Sequence, residues 1–174
     1  MKNSKPKGAP QWQPLIDELT VRVRFNEIDS MRRVWHGRYV GYYEKAKIKK
    51  IGNKKINTYM EDGRESFGLH YPGIGYADIS QSGIYAPVFD LHVRHLSFLE
   101  LNDEAVITTA YEYHPGARLD FNYEVRRKRD GILCATGHST QLFIDPDGNL
   151  MGELPDYYKT WQERFLKPVE SPTT

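Results

Sequence analysis

Two stretches in the second half of the chain alternate side chains with period two, a third strand-like run follows them, and tight-turn residues punctuate the set. Ala105 to Tyr113 sets Val106, Thr108, Ala110 and Glu112 against Ile107, Thr109, Tyr111 and Tyr113. Leu119 to Lys128 sets Leu119, Phe121, Tyr123 and Val125 against Asp120, Asn122, Glu124 and Arg126, and Ile132 to Ile144 follows. His114-Pro115-Gly116 and Asp130-Gly131 join these runs. An apolar stretch from Tyr85 to Phe98 precedes them, and an earlier strand is marked by Val21, Val23 and Phe25 alternating with Arg22, Arg24 and Asn26. A sheet with one apolar face must bury that face. From His36 the period changes: Tyr39, Val40, Tyr43, Ala46, Lys47, Lys50 and Ile51 recur at three and four, and Gly52-Asn53 stops the pattern. The expected architecture is therefore α+β, an antiparallel sheet of about five strands wrapped around one long central helix.

Between Lys54 and Ser80, residues Gly63, Gly68, Pro72, Gly73 and Gly75 interrupt any regular element. The expectation there is a connection with a short helix or turn that lies as a flap over the site. Pro155 to Leu166 opens like a last, short helix. The 174 residues fit one domain, with a core over about 20–157 and loose ends from Met1 to Pro14 and from Lys167 to Thr174.

The formal charge of +1 does not point to nucleic acid, and Lys45, Lys47, Lys49, Lys50, Lys54 and Lys55 read as a solvated face. One cysteine, Cys134, excludes an intramolecular disulfide, reads as a buried structural thiol and suits a reducing compartment. No run of 18 apolar residues predicts a membrane span, and Met1 to Pro14 lacks a signal-peptide core, so a cytoplasmic location is expected. No metal is expected. His92 and His95 fall on opposite faces of a strand, and Asp145 with Asp147 lacks the further carboxylates of a calcium loop.

The stretch from Asp29 to Tyr39 resembles the signature of the 4-hydroxybenzoyl-CoA thioesterase family. Val34, His36 and Tyr39 stand five, seven and ten residues after Asp29, as in that family's pattern. Tyr43, Glu44 and Ala46 continue the match, as do Phe98 to Asp103 and the hairpin at Asp130-Gly131, so the resemblance covers roughly 20–157. It implies a hotdog fold. One position departs: where the family usually has glycine three residues after the Asp, this chain has Arg32. Arg32 is expected either to grip a phosphate or carboxylate at the rim or to block the acyl channel.

Thioester hydrolysis needs an attacking oxygen, a place for the charge that builds on the carbonyl oxygen, and a grip on the coenzyme. The resemblance assigns the first to Asp29, as nucleophile or general base, against a bland role as loop cap or partner of Arg32 or Arg33. It assigns the second to the backbone amide of His36 at a helix start, helped by Gly37. The His36 side chain is read as orienting substrate, as a proton relay, or as a satisfied, non-catalytic imidazole. Glu44, eight residues after His36, matches the catalytic Glu of another hotdog branch and is the second carboxylate to weigh. Tyr39 and Tyr43 are candidates for the acyl pocket, or simply core. Arg94, Arg118, Arg126 and Arg127 are candidates for the coenzyme phosphates, or solvated charges.

The implied activity is release of a free acid from an acyl-CoA or an acyl carrier protein thioester. Coenzyme A enters as part of the substrate and no other cofactor is expected. A homodimer or homotetramer is implied by resemblance. The rivals are a non-hydrolytic acyl-thioester-binding module and a hotdog dehydratase or lyase.

Overall fold

The structure, a computed structural model, describes residues 12–28, 32–33 and 59–169. Five strands, β1 (Ile16–Arg22), β2 (Val88–His95), β3 (Glu104–Glu112), β4 (Arg118–Arg127) and β5 (Leu133–Leu142), form one sheet in the order β1-β3-β4-β5-β2. Every pairing is antiparallel. The alternation in the sequence becomes two faces. Ala105, Ile107, Thr109 and Tyr111 of β3, and Leu119, Phe121, Tyr123 and Val125 of β4, point inward and are buried.

The other face is polar. Its register places Glu18, Thr108, Glu124, Thr136 and Arg94 in one row, and Ile16, Ala110, Asn122, His138 and His92 in the next. His92 is thus on the outer face. His95 pairs with the buried Ala135 on the inner one, so the two imidazoles do not converge.

The inner face is covered, among the described residues, by α1 (Tyr59–His70), a 12-residue helix lying where the sequence predicted an irregular connection. The glycines that read as breakers are the reason. Gly63 and Gly68 lie on its buried side with Tyr59, Met60, Arg64 and Phe67. A Cβ at Gly63 would stand 2.5 Å from Thr109 Oγ1, and one at Gly68 would stand 2.7 Å from Gly75 Cα. Glycine here permits close approach rather than a turn. Phe67, fully buried, packs edge-on against Phe121 at 5.2 Å between ring centres. Its burial is worth about 1.5–3 kcal/mol. The helix expected from His36 to Ile51 lies outside the described residues.

A short helix, α2 (Tyr76–Gln81), follows a turn in which Asp78 Oδ2 accepts hydrogen bonds from the amides of Gly73 and Gly75, at 2.9 and 3.1 Å. The last helix, α3 (Asp156–Phe165), begins after Pro155 as expected. It closes one end of the inner face: Tyr158 shares a 2.6 Å hydrogen bond with Tyr111, and Trp161 donates to the Tyr71 carbonyl at 3.0 Å. No described helix is long and apolar enough to cross a membrane.

The first strand also differs from expectation. It runs from Ile16 to Arg22, and Phe25 instead opens a 3-10 turn (Phe25–Glu27) with its ring 79% exposed. Alternation alone carried the predicted strand past the point where β3 ends its pairing, since Arg22 already faces Glu104, the first residue of β3.

Candidate active site

The loop carrying Asp29 is held on both flanks. On the incoming side, Glu27 Oε2 accepts a hydrogen bond from the Arg24 amide at 2.9 Å and another from the Tyr59 hydroxyl at 3.0 Å. One carboxylate thus ties the strand end before Asp29 to the Tyr59 end of α1. On the outgoing side, Arg33 forms an antiparallel bridge with Glu100, and its guanidinium lies over the Phe98 ring at 4.2 Å.

Arg32, beside it, has φ +60°, the left-handed conformation that glycine adopts without strain. An exposed arginine thus occupies a position whose backbone conformation favours glycine. Asp29, His36, Gly37, Tyr39, Tyr43 and Glu44 lie outside the described residues.

The Tyr59 end of α1 is acidic. Burial raises the carboxyl of half-buried Asp62 to about 6, and the negative charges of Glu61, Glu65 and Glu27 push in the same direction, against Arg24. A carboxyl titrating there is suited to exchanging protons near neutrality. Sequence reasoning missed it because the surrounding glycines masked the helix. The Asp-Glu crowding in Tyr59–Glu65 was the available signal.

Asp62 also makes stability depend on pH. Its pKa is higher folded than unfolded, so the folded state holds the proton more tightly. The stabilising contribution is complete below about pH 4 and lost as pH rises through about 6. Asp62→Asn should leave stability unchanged at pH 4 and raise it by about 1 kcal/mol at pH 8, allowing for solvent screening of a half-exposed group. Urea unfolding at the two pH values measures this. A variant less stable than native at pH 8 would contradict it.

The four arginines proposed for coenzyme phosphates are not gathered into one patch. Arg94 is exposed on the outer face of β2. Arg126, on the same face of β4, lies two strand spacings away, roughly 10 Å. It is held by Glu124 at 2.8 Å and by the Gly131 carbonyl. Arg118 is at the opposite end of β4 from Arg126, roughly 27 Å away, with Nε 2.6 Å from Asp120.

Arg127, one residue from Arg126, points inward and is 6% exposed. Its Nε and Nη2 engage Asp130, and its Nη1 donates to the Phe98 carbonyl at 2.9 Å. That guanidinium holds Asp130 below the usual carboxylate range and fastens the hairpin at Gly131 to the chain beside Arg33. Cys134 is fully buried, and its burial raises the thiol above its ordinary value, as a structural cysteine requires.

A family model described as the thioesterase-like superfamily matches residues 23–169, which takes in the Asp29 loop, α1 and four of the five strands. This chain belongs to the thioesterase-like superfamily.

Two of its relatives are distant in sequence. A Synechocystis protein named "Putative esterase sll0410" is 28% identical over 151 residues, 86% of this chain and 78% of the relative. A Bacillus subtilis protein named "Putative acyl-CoA thioesterase YneP" is 21% identical over 152 residues, 87% of this chain and 96% of the relative. Among solved structures, the DHNA-CoA thioesterase of Staphylococcus aureus superposes with a TM-score of 0.66 at 22% identity, covering 86% of this chain and 90% of that one. The fold is thus the hotdog fold of this thioesterase-like chain, with α1 against the inner face of its sheet.

Proposed function

We propose that this protein hydrolyses an acyl-CoA thioester, or the corresponding acyl carrier protein thioester, to a free acid and a thiol. The observation that carries the reading is the family match across 23–169, because it spans the Asp29 loop together with the sheet and helix that flank it. The name of the Bacillus subtilis relative supports acyl-CoA as the substrate class.

In this reading the Asp29 carboxylate attacks the thioester carbon. The carbon–sulfur bond breaks, the thiolate leaves and is protonated, and water then cleaves the mixed anhydride to restore Asp29. Alternatively, Asp29 takes a proton from the water that attacks directly. The amides of His36 and Gly37 hold the developing oxyanion. The His36 imidazole orients substrate, Glu44 is a reserve base or a structural partner, and Tyr39 and Tyr43 wall the acyl group.

Arg32, with its exposed guanidinium in a glycine conformation, sits at the rim to meet an anionic group. Arg94 and Arg126 share one end of the outer face and are better placed for the coenzyme phosphates than Arg127, whose guanidinium is fully engaged. Arg118 belongs to a different end of the strand. Coenzyme A is substrate here, and no further cofactor enters.

Two copies are expected to pair along β2, an edge strand beside which Phe89 and Leu96 are exposed, as a dimer or a dimer of dimers. A cytoplasmic setting agrees with the buried, unpaired Cys134.

The test is thiol release by the full chain from a panel of aliphatic and aromatic acyl-CoA substrates, with oxygen esters of the same acids alongside. The expected result is turnover of at least one acyl-CoA at about 1 per second or faster. Tight binding of acyl-CoA with no thiol release from any of them would overturn hydrolysis and favour a binding module.

A further inference from the structure

Arg64 is a cation placed inside the fold without a counter-charge among the described residues. It lies on the sheet-facing side of α1 and is 9% exposed. Its Nη1 donates to the Tyr123 hydroxyl at 3.2 Å and its Nη2 to the Tyr76 hydroxyl at 3.4 Å. Its Nε is buried with no hydrogen-bond partner. Among the described residues no carboxylate stands within ion-pair distance of it, whereas Arg127, buried to a similar degree, has Asp130 at 2.8 Å. Both acceptors are neutral phenols, and burial raises the Tyr123 hydroxyl above its ordinary value, so it offers no negative charge. A buried guanidinium with only neutral partners is costly unless an anion reaches it.

The space beside it says what kind of anion. Arg64 and Tyr76 border a small cavity whose other walls include Phe67, Ile74, Ile79 and Phe121. It has a volume of about 10 Å³, room for roughly one water. Gln141 and the Tyr76 hydroxyl also line it, so its walls mix apolar and polar groups, and among the described residues the guanidinium is the one charged group on them. Once opened, the space suits a single carboxylate on a short apolar stem rather than a doubly charged phosphate.

The outer wall is α2, a single six-residue helix, and glycines in left-handed conformations lie on either side of it, Gly73 at φ +120° and Gly83 at φ +75°. Tyr76, at the start of α2, is 49% exposed and makes the longer of the two Arg64 hydrogen bonds. Nε and Nη2 form one edge of a guanidinium, the edge that takes a carboxylate side-on with two parallel hydrogen bonds. In Arg64, among the described residues, Nε has no partner and Nη2 is occupied only by Tyr76.

We propose that Arg64 is a specificity residue that receives the terminal carboxylate of a dicarboxylic acyl group when α2 swings outward and Tyr76 leaves the guanidinium. The preferred substrate is then the half-thioester of a short dicarboxylic acid, its methylenes lying against Phe67, Ile74, Ile79 and Phe121. This rests on the thioesterase reading, and deepens it by naming the acyl class.

The experiment compares kcat/KM for glutaryl-CoA and valeryl-CoA, equal in carbon count and different at the terminal group, in the native chain and in Arg64→Met and Tyr76→Phe. A preference for glutaryl-CoA of roughly 10- to 100-fold is expected in the native chain. It should collapse to unity or below in Arg64→Met, while Tyr76→Phe keeps it or increases it. Equal kcat/KM for the two substrates in the native chain overturns the proposal and leaves the thioesterase reading standing. If neither is cleaved, that reading fails, and glutarate binding decides the proposal separately. A saturable rise in melting temperature with glutarate and not with valerate supports it, and no rise overturns it. Should Arg64→Met not melt cooperatively, Arg64→Lys replaces it: it keeps the charge but lacks the side-on fork, and a full native preference in that variant overturns the proposal.

Discussion

Gly68→Ala is expected to destabilise the protein by about 2 kcal/mol, although alanine is the better helix former. At an exposed position of a helix the exchange would gain about 1 kcal/mol. Gly68 is instead the point where α1 meets the turn leading into α2, and the added methyl would lie 2.7 Å from Gly75 Cα and 3.1 Å from Gly75 N. Both are backbone atoms, so no side-chain rotation relieves the overlap. Overpacking of this kind costs about 1–3 kcal/mol or more, which outweighs the propensity gain.

The displaced turn contains Gly73 and Gly75, whose amides Asp78 caps, so α2 shifts with it. Gly137→Ala is the informative contrast. Its methyl would meet Met60 Cε and Sδ at 2.5 and 2.7 Å, the far end of a flexible side chain, and should cost clearly less. Thermal unfolding separates the two: a loss of about 2 kcal/mol lowers the midpoint of a chain this size by roughly 4–8 °C. A Gly68→Ala protein as stable as the native one would mean that α1 and the Gly75 turn do not approach as described.

That close approach also explains what could and could not be read in advance. The strands β3 and β4 were legible because period two with one apolar face admits no helical alternative, and β5 was legible from the turns that bound it, Asp130-Gly131 before it and Asp145 to Gly148 after it. Helix α1 was hidden. Its buried stripe, Met60, Gly63, Arg64, Phe67 and Gly68, repeats at three and four as a helix should, yet two of the five are glycines and one is an arginine. Hydrophobicity cannot show a face built for close contact and for a buried charge.

The candidate site divides in the same way. The Asp29 loop was singled out by its spacing to Val34, His36 and Tyr39, which lie outside the described residues, and the structure describes only what flanks it, Glu27 and Arg33. The coenzyme arginines were chosen by residue type, which carries no information about face. Arg126 and Arg127 are neighbours in sequence and point to opposite sides of the sheet. The glycine-position departure at Arg32 was legible as a change of side chain, and its φ of +60°, a conformation that favours glycine, was not.

The larger effect is expected at Asp29. In Asn the carboxylate is replaced by a neutral amide of nearly the same shape, which neither attacks a thioester carbon nor takes a proton from water. General acid–base assistance alone is worth about 10²–10⁴-fold, and loss of a nucleophile is at least comparable. Asp29→Asn should therefore lower kcat by about 10³-fold while KM stays within a few-fold, because the groups that grip the coenzyme are untouched. Urea unfolding of the variant beside the native chain separates a loss of catalysis from a loss of fold.

Glu44→Gln and Asp62→Asn, measured in parallel, should each retain most of the native rate. The decisive measurement is steady-state thiol release from the best acyl-CoA substrate by the native chain and these three variants at equal folded concentration. The account predicts a thousandfold fall for Asp29→Asn alone. A native-like rate in Asp29→Asn, with the fall appearing in Glu44→Gln or Asp62→Asn instead, would contradict it.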